Sequence, residues 1–218
     1  MTSPFIRLQP PNAPEPQLEE IPSPISRRWW TENEDGIQSP PVSVFLTQKA
    51  YVKTNVHAGS DLENEVGGWL VGKWRADPET GDNFIVVEAI LPAVHIEHGS
   101  AFLTFTQDSQ VAMYDEMEER YPESELVGWY HTHPKMGVFL SKYDLFLHQN
   151  FFTQQYQVAL VIEPHTRTAG FFIPQADGSL DPRQYYGFSE IHNGSDRSVV
   201  HWQNVYTDPE LSFQEEES

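Results

Sequence analysis

Two histidines one residue apart, His131 and His133, close the run Gly128-Trp129-Tyr130-His131-Thr132-His133-Pro134. On an extended strand, side chains at i and i+2 leave the same face from Cα atoms about 6–7 Å apart, so both imidazoles can converge on one ion. Pro134 has no amide hydrogen for a sheet ladder, so pairing ends there and the chain swings away. After seven residues, Ser141-Lys142-Tyr143-Asp144 opens a helix. Asp144 can therefore return to the strand end with an oxygen donor. Two imidazoles and one carboxylate suit Zn²⁺ with a fourth position open to water. Each piece alone has an ordinary explanation. A lone His-x-His pair is commonly a surface or core feature, and Ser-x-x-Asp is a helix capping box. Given the His pair, however, Ser and Asp at two set positions arise by chance on the order of a few times per thousand.

The elements that must position these residues alternate between strand and helix. Residues 42–46 read as a strand and 47–62 as a helix capped by Thr47. Strands follow at 66–74 and 84–91, joined by a polar turn, with a short one at 101–105. Thr106 opens a helix to about Tyr121, with Val111, Met113, Tyr114 and Met117 as expected core positions, and Pro122 stops it. A strand at 126–133, a helix at 141–152 and strands at 157–162 and 169–173 complete the pattern. Such mixing predicts an α/β fold, a sheet covered by helices.

Outside this core, residues 1–41 hold nine of the 17 prolines and read as a largely disordered leader. Within it, Ile25 to Trp30 reads either as a patch docked on the core or as a partner-binding motif. Residues 189–218 end in three glutamates and read as an acidic tail that Trp202 and Tyr206 can anchor in part. The domain of interest is then 42–188.

Composition excludes several classes. With no cysteine among 218 residues there is no disulfide, thiolate metal site or cysteine nucleophile. A net charge of −19 argues against a nucleic-acid binder, whose affinity comes from clustered Lys and Arg. The same charge solubilises the surface and would steer a basic partner. No apolar run approaches the roughly 18–20 residues of a membrane span, and the start lacks a secretory signal. The expectation is a soluble, cytoplasmic protein.

His131-Thr132-His133, seven residues, Ser141, two residues and Asp144 together resemble the signature of the JAMM (MPN-plus, Mov34/JAB-type) metalloprotease family, and the compact outline looks like a prokaryotic member. That motif also requires a glutamate well upstream, and Glu65 in Asn64-Glu65-Val66-Gly67-Gly68 is similar to it. The resemblance implies a curved mixed β-sheet flanked by helices. It also implies one zinc ion held by His131, His133 and Asp144, and hydrolysis after the C-terminal glycine of a ubiquitin-like protein. Glu65 would act as general base and acid for the attacking water. The Ser141 hydroxyl would meet the oxyanion.

Gly67 and Gly68 are expected either to pack tightly or to lie beside a substrate tail that adds a strand at an open edge. Phe102 and Phe105 are candidates for tail contact, near a loop with His95 and His98 that corresponds to the border of the substrate groove. Tyr130 should face away from His131, into the core. His57 and His148 read as packing residues, with His148 on the same helix face as Asp144. The short connection at 153–156 leaves little room for the insertion with which some members grip ubiquitin chains. Two other readings stay open. One is a non-catalytic scaffold of the same fold that binds ubiquitin-like or other partner proteins. The other is an enzyme that trims a sulfur-carrier protein rather than deconjugating or processing a modifier.

Overall fold

The computed structural model describes residues 15–36, 38–93, 96–99, 102–194 and 197–207. Its strands and helices run in the order β1 (Gln17–Leu18), β2 (Ser26–Trp29), β3 (Val42–Thr47), α1 (Gln48–Ala58), β4 (Gly67–Ala76), β5 (Asn83–Pro92), β6 (Ile96–Gly99), β7 (Phe102–Phe105), α2 (Gln107–Arg120), β8 (Glu125–Thr132), α3 (Lys142–Phe151), β9 (Val158–Glu163), β10 (Thr168–Phe172) and β11 (Phe188–Ile191).

Each helix starts where a hydroxyl can take an orphan amide. Thr47 Oγ1 accepts from the Ala50 amide at the head of α1, and Thr106 Oγ1 from the Ser109 amide at the head of α2. Of the core positions expected on α2, Met113 is buried, but Val111 and Tyr114 are 53% and 59% exposed. The helix turns the Ser109–Met113 side inward, and Val111 and Tyr114 fall on the other side.

The main sheet is mixed, in the order β10-β9-β8-β4-β5-β3-β11-β2, with β1 added parallel to the far end of β4. Pairs β8/β9, β3/β5, β3/β11 and β1/β4 are parallel; β4/β8, β4/β5, β9/β10 and β2/β11 are antiparallel. The sheet curls until β10 meets Tyr186, just ahead of β11, through a Phe171–Tyr186 bridge. One face packs Leu46, Leu70, Tyr130 and Phe188 in one cluster with Tyr51 of α1. The other packs Trp69, Val71 and Trp129 in one cluster with Met113 of α2, Leu147 of α3 and Phe152 at the end of α3.

Residues 1–14 of the leader and 208–218 of the tail lie outside the described residues. Of the two readings of Ile25 to Trp30, the described part is docked on the core. Ser26–Trp29 contains no proline, so its amides are free to pair, and it joins β11 antiparallel. The Trp29 indole donates to buried Glu190 on β11. Trp30 bridges to Tyr206, and Trp202 is 4% exposed and donates to Asn55 on α1. Residues 15–36, 189–194 and 197–206 therefore contribute strands and anchors to the sheet from outside residues 42–188. The prolines punctuate these segments without preventing them from pairing.

Candidate metal centre

Strand β8 reaches the centre of the sheet between β4 and β9, which places His131 and His133 at its end. The backbone there is held from both sides. The Thr132 amide donates to the Val66 carbonyl, and the Val66 amide to Thr132 Oγ1. The His133 amide donates to the Ile162 carbonyl at 2.8 Å. A bulge between Leu70/Val71 and Gly128/Leu126 sets which face each β8 residue takes. Gly128 makes it possible: a Cβ there would lie 2.2 Å from the Val158 carbonyl oxygen. Past the bulge, Trp129 and His131 point to the α2–α3 side and Tyr130 to the opposite core, as expected from alternation.

The two imidazoles meet head-on, with Nε2 of His131 and Nε2 of His133 2.9 Å apart. Asp144 Oδ1 is 3.2 Å from His131 Nε2, and Asp144 Oδ2 3.6 Å from His133 Nε2. Among the described residues this is the group of His, Asp or Glu able to hold an ion, all its donor atoms lying within 4.8 Å of one another. All three residues are buried. Ring nitrogens this close, beside a carboxylate, are satisfied by sharing either a proton or a cation. His133 Nδ1 is 3.3 Å from the Gly137 carbonyl, which only an Nδ1–H can serve, so its Nε2 lone pair is directed at the centre. The donor set fits Zn²⁺.

Asp144 arrives by way of the capping box. Ser141 is the N-cap of α3; its Oγ accepts the Asp144 amide at 3.2 Å, and Asp144 Oδ2 accepts the Ser141 amide at 2.6 Å. The capping box of Ser-x-x-Asp is formed, and the same carboxylate faces both imidazoles. Burial by itself pushes the Asp144 carboxyl up. The charge of His131 and the hydrogen bonds from His131, His133 and Ser141 outweigh it and hold the acid well below the usual carboxylate range.

Glu65 sits at the entry to β4, half-buried, with Oε2 enclosed and without a hydrogen-bond partner. Burial raises its pKa; His131 and His133 act against that and Asp144 with it, so all three lie within electrostatic reach. An enclosed carboxylate whose pKa is raised towards neutrality is chemically able both to take and to return a proton.

Gly67 and Gly68 require a correction. Gly67 pairs with His131, and Gly68 lies between Tyr130 on β8 and Pro92 on β5, so no edge is open there for a substrate strand. A Cβ on Gly68 would come within 2.2 Å of the Leu91 carbonyl oxygen: the glycine permits close approach of two strands. His95 and the side chains of His98, Phe102 and Phe105 lie outside the described residues; the backbones of β6 and β7 form a separate two-stranded sheet. Tyr130 Oη hydrogen-bonds His57 Nδ1 at 2.8 Å. His148 is buried and accepts the Trp129 indole N–H at 3.1 Å. The Trp129–His148 pair escaped the sequence reading; the i+4 spacing of His148 from Asp144 was its one signal.

The family model described as "JAB1/Mov34/MPN/PAD-1 ubiquitin protease" matches residues 40–157. The chain belongs to this family. Its curled mixed sheet with three helices is the JAB/MPN α/β fold. Among curated relatives, COP9 signalosome complex subunit 5a of Arabidopsis thaliana is 31% identical over 172 residues, covering 74% of this chain and 43% of that protein. The 26S proteasome non-ATPase regulatory subunit 14 of Drosophila melanogaster is 26% identical over 151 residues, covering 64% and 44%. A solved structure, protein DSY2949 from Desulfitobacterium hafniense, gives a TM-score of 0.49 at 22% identity, covering 63% of this chain and 89% of that one. The chain spans less than half the length of the two curated relatives. No helix among the described residues is long and apolar enough to cross a membrane.

Proposed function

We propose that this JAB/MPN chain is a zinc-dependent peptidase or isopeptidase that cuts after the C-terminal glycine of a ubiquitin-like protein. The observation that carries the reading is the convergence of His131, His133 and Asp144 within electrostatic reach of Glu65, whose Oε2 is enclosed. The match to a ubiquitin protease model and the names of the COP9 and proteasome relatives support the substrate class.

His131 and His133 through Nε2, with Asp144, would hold the ion. When bound, Zn²⁺ supplies a Lewis acid that brings the pKa of water from 15.7 to about 7. Glu65 takes the proton of the attacking water at Oε2 and delivers it to the leaving amine. Its raised pKa suits both halves of that task, because a base and acid in turn works best when its pKa approaches the working pH. Ser141, fixed at the start of α3, directs its hydroxyl at the developing oxyanion. Hydrolysis breaks the carbonyl–nitrogen bond after the glycine, adds water's oxygen to the acyl carbon and returns a proton to the amine.

The test is cleavage of a ubiquitin-like fusion by the purified chain. A chelator and Glu65→Gln should each abolish it while the circular dichroism spectrum stays unchanged. Cleavage that survives both treatments overturns the reading.

A further inference from the structure

Glu163 ends β9, is 1% exposed, and has every acceptor position of its carboxylate in use. Oε1 accepts the His165 amide at 2.9 Å, and Oε2 accepts the Thr166 amide at 2.8 Å together with the Thr166 hydroxyl. These three bonds close its own turn into β10 and would explain an ordinary cap. The fourth does not belong to the turn. Oε1 also accepts the amide of Lys135 at 3.0 Å, two residues beyond His133.

Lys135 has φ of +63°, a left-handed conformation that costs a residue with a side chain about 1–2 kcal/mol, and it directly follows Pro134. Such a bend persists where its neighbours over-determine it. The end of β9 does so with two successive residues: the Ile162 carbonyl takes the His133 amide and the Glu163 carboxylate takes the Lys135 amide. The same turn also reaches the segment that leads to Glu65. His165 Nε2 meets the Leu62 carbonyl at 2.8 Å, and Lys135 Nζ pairs with both carboxylate oxygens of Glu63.

We propose that Glu163 is a positioning residue for the metal centre, bracing the loop after His133 so that the ligand's ring is aimed before the ion arrives. The turn it closes holds the Glu65 segment in register with that loop through His165. The inference rests on the zinc reading of His131, His133 and Asp144. Glu190 provides the contrast. It is 0% exposed and equally saturated, by the Trp29 and Gln48 side chains, the Ser198 hydroxyl and the Val199 amide, but it lies three strands along the sheet from β4.

The test uses the full chain and measures zinc affinity by chelator competition, melting of the zinc-free protein, and amide exchange. Glu163→Gln should weaken zinc binding about 10–100-fold, the range for residues that orient a ligand, and speed exchange at 133–137. Glu190→Gln should lower the melting temperature comparably while leaving zinc affinity within about twofold. His165→Ala should speed exchange at 60–66 and spare zinc affinity. If Glu163→Gln does not fold, Glu163→Asp carries the same test, since it keeps the buried charge and shortens its reach across to the Lys135 amide. Wild-type protein that binds no zinc overturns both this inference and the proposed function. Zinc affinity unchanged in the Glu163 variant, or reduced equally in both glutamate variants, overturns the brace alone.

Discussion

The indole of Trp129 lies face to face with the imidazole of His131, ring centroids 4.7 Å apart and planes 11° from parallel. The same indole donates to His148 at 3.1 Å, so its rotation is fixed from the far side. His131 Nδ1 is enclosed and has no hydrogen-bond partner, in contrast to His133, whose Nδ1 faces the Gly137 carbonyl. One ring of the candidate centre is therefore oriented by a hydrogen bond and the other by stacking. Trp129→Phe keeps an aromatic face but strands the buried His148 nitrogen, at a cost of about 1–3 kcal/mol. Trp129→Ala should cost about 3–5 kcal/mol and also weaken zinc binding. Urea unfolding of the zinc-free protein and chelator competition measure the two effects separately.

Burial holds His148 at about 4, below the ordinary 6.5, because the charged ring is not solvated there. The unfolded chain then binds the extra proton first as pH falls, so stability is complete above about 6.5 and declines down to about 4. The decline amounts to up to about 3 kcal/mol. His148→Gln retains an acceptor for the Trp129 indole and does not titrate. Melting of the chelated proteins between pH 7 and 4 should show a shallower loss for the variant.

Glu65 behaves in the opposite sense. Its pKa is raised by burial, so the folded state keeps the proton longer, and stability falls as pH rises through the raised value. Removing the charge relieves the penalty. Zinc-free Glu65→Gln should unfold at a higher denaturant midpoint than wild type at pH 7, with the advantage disappearing below pH 4. The same variant should have no hydrolytic activity, which is the trade expected where function keeps an unsatisfied group buried.

Glu163 is held at about 2, below the ordinary 4.5; burial raises it, but the Thr166 hydroxyl and the amides of Lys135, His165 and Thr166 more than offset that. A depressed carboxylate gives stability that is present above about 4.5 and lost on the way down to about 2. Acid melting of wild type against Glu163→Gln should therefore diverge above pH 4.5 and converge near pH 2.

Ser141→Ala separates stability from rate. Loss of the N-cap should cost about 0.5–2 kcal/mol by chemical denaturation. If the hydroxyl also meets the oxyanion, kcat on a ubiquitin-like fusion falls about 10²–10³-fold with KM nearly unchanged. A rate loss no larger than the drop in folded fraction would confine Ser141 to capping.

The site was legible because its geometry is local. Two residues apart on a strand and three apart across a helix start are distances that the backbone fixes before any packing, so His131, His133 and Asp144 could be placed together from spacing. What was not legible depends on partners far away in the chain. Gly68 looks like a bulge or an edge until β5 is seen lying against it. Ser26–Trp29 is a strand because β11, some 160 residues later, offers it a ladder. Val127 should share a face with Trp129 by strict alternation, yet it packs in the opposite core, because a register shift opposite Leu70/Val71 interrupts the period.

The carboxylate of Asp144 gives one oxygen to the Ser141 amide and turns the other towards His131. Moving the first turn of that helix by a single position would retract the acid from the rings, so the winding of the helix start and the proposed ion site depend on one carboxylate. The stretch from 134 to 140 tolerates redesign only insofar as it delivers the serine to the same spot. In the proposed zinc centre, fraying of the helix start would require Asp144 to let go of the ion.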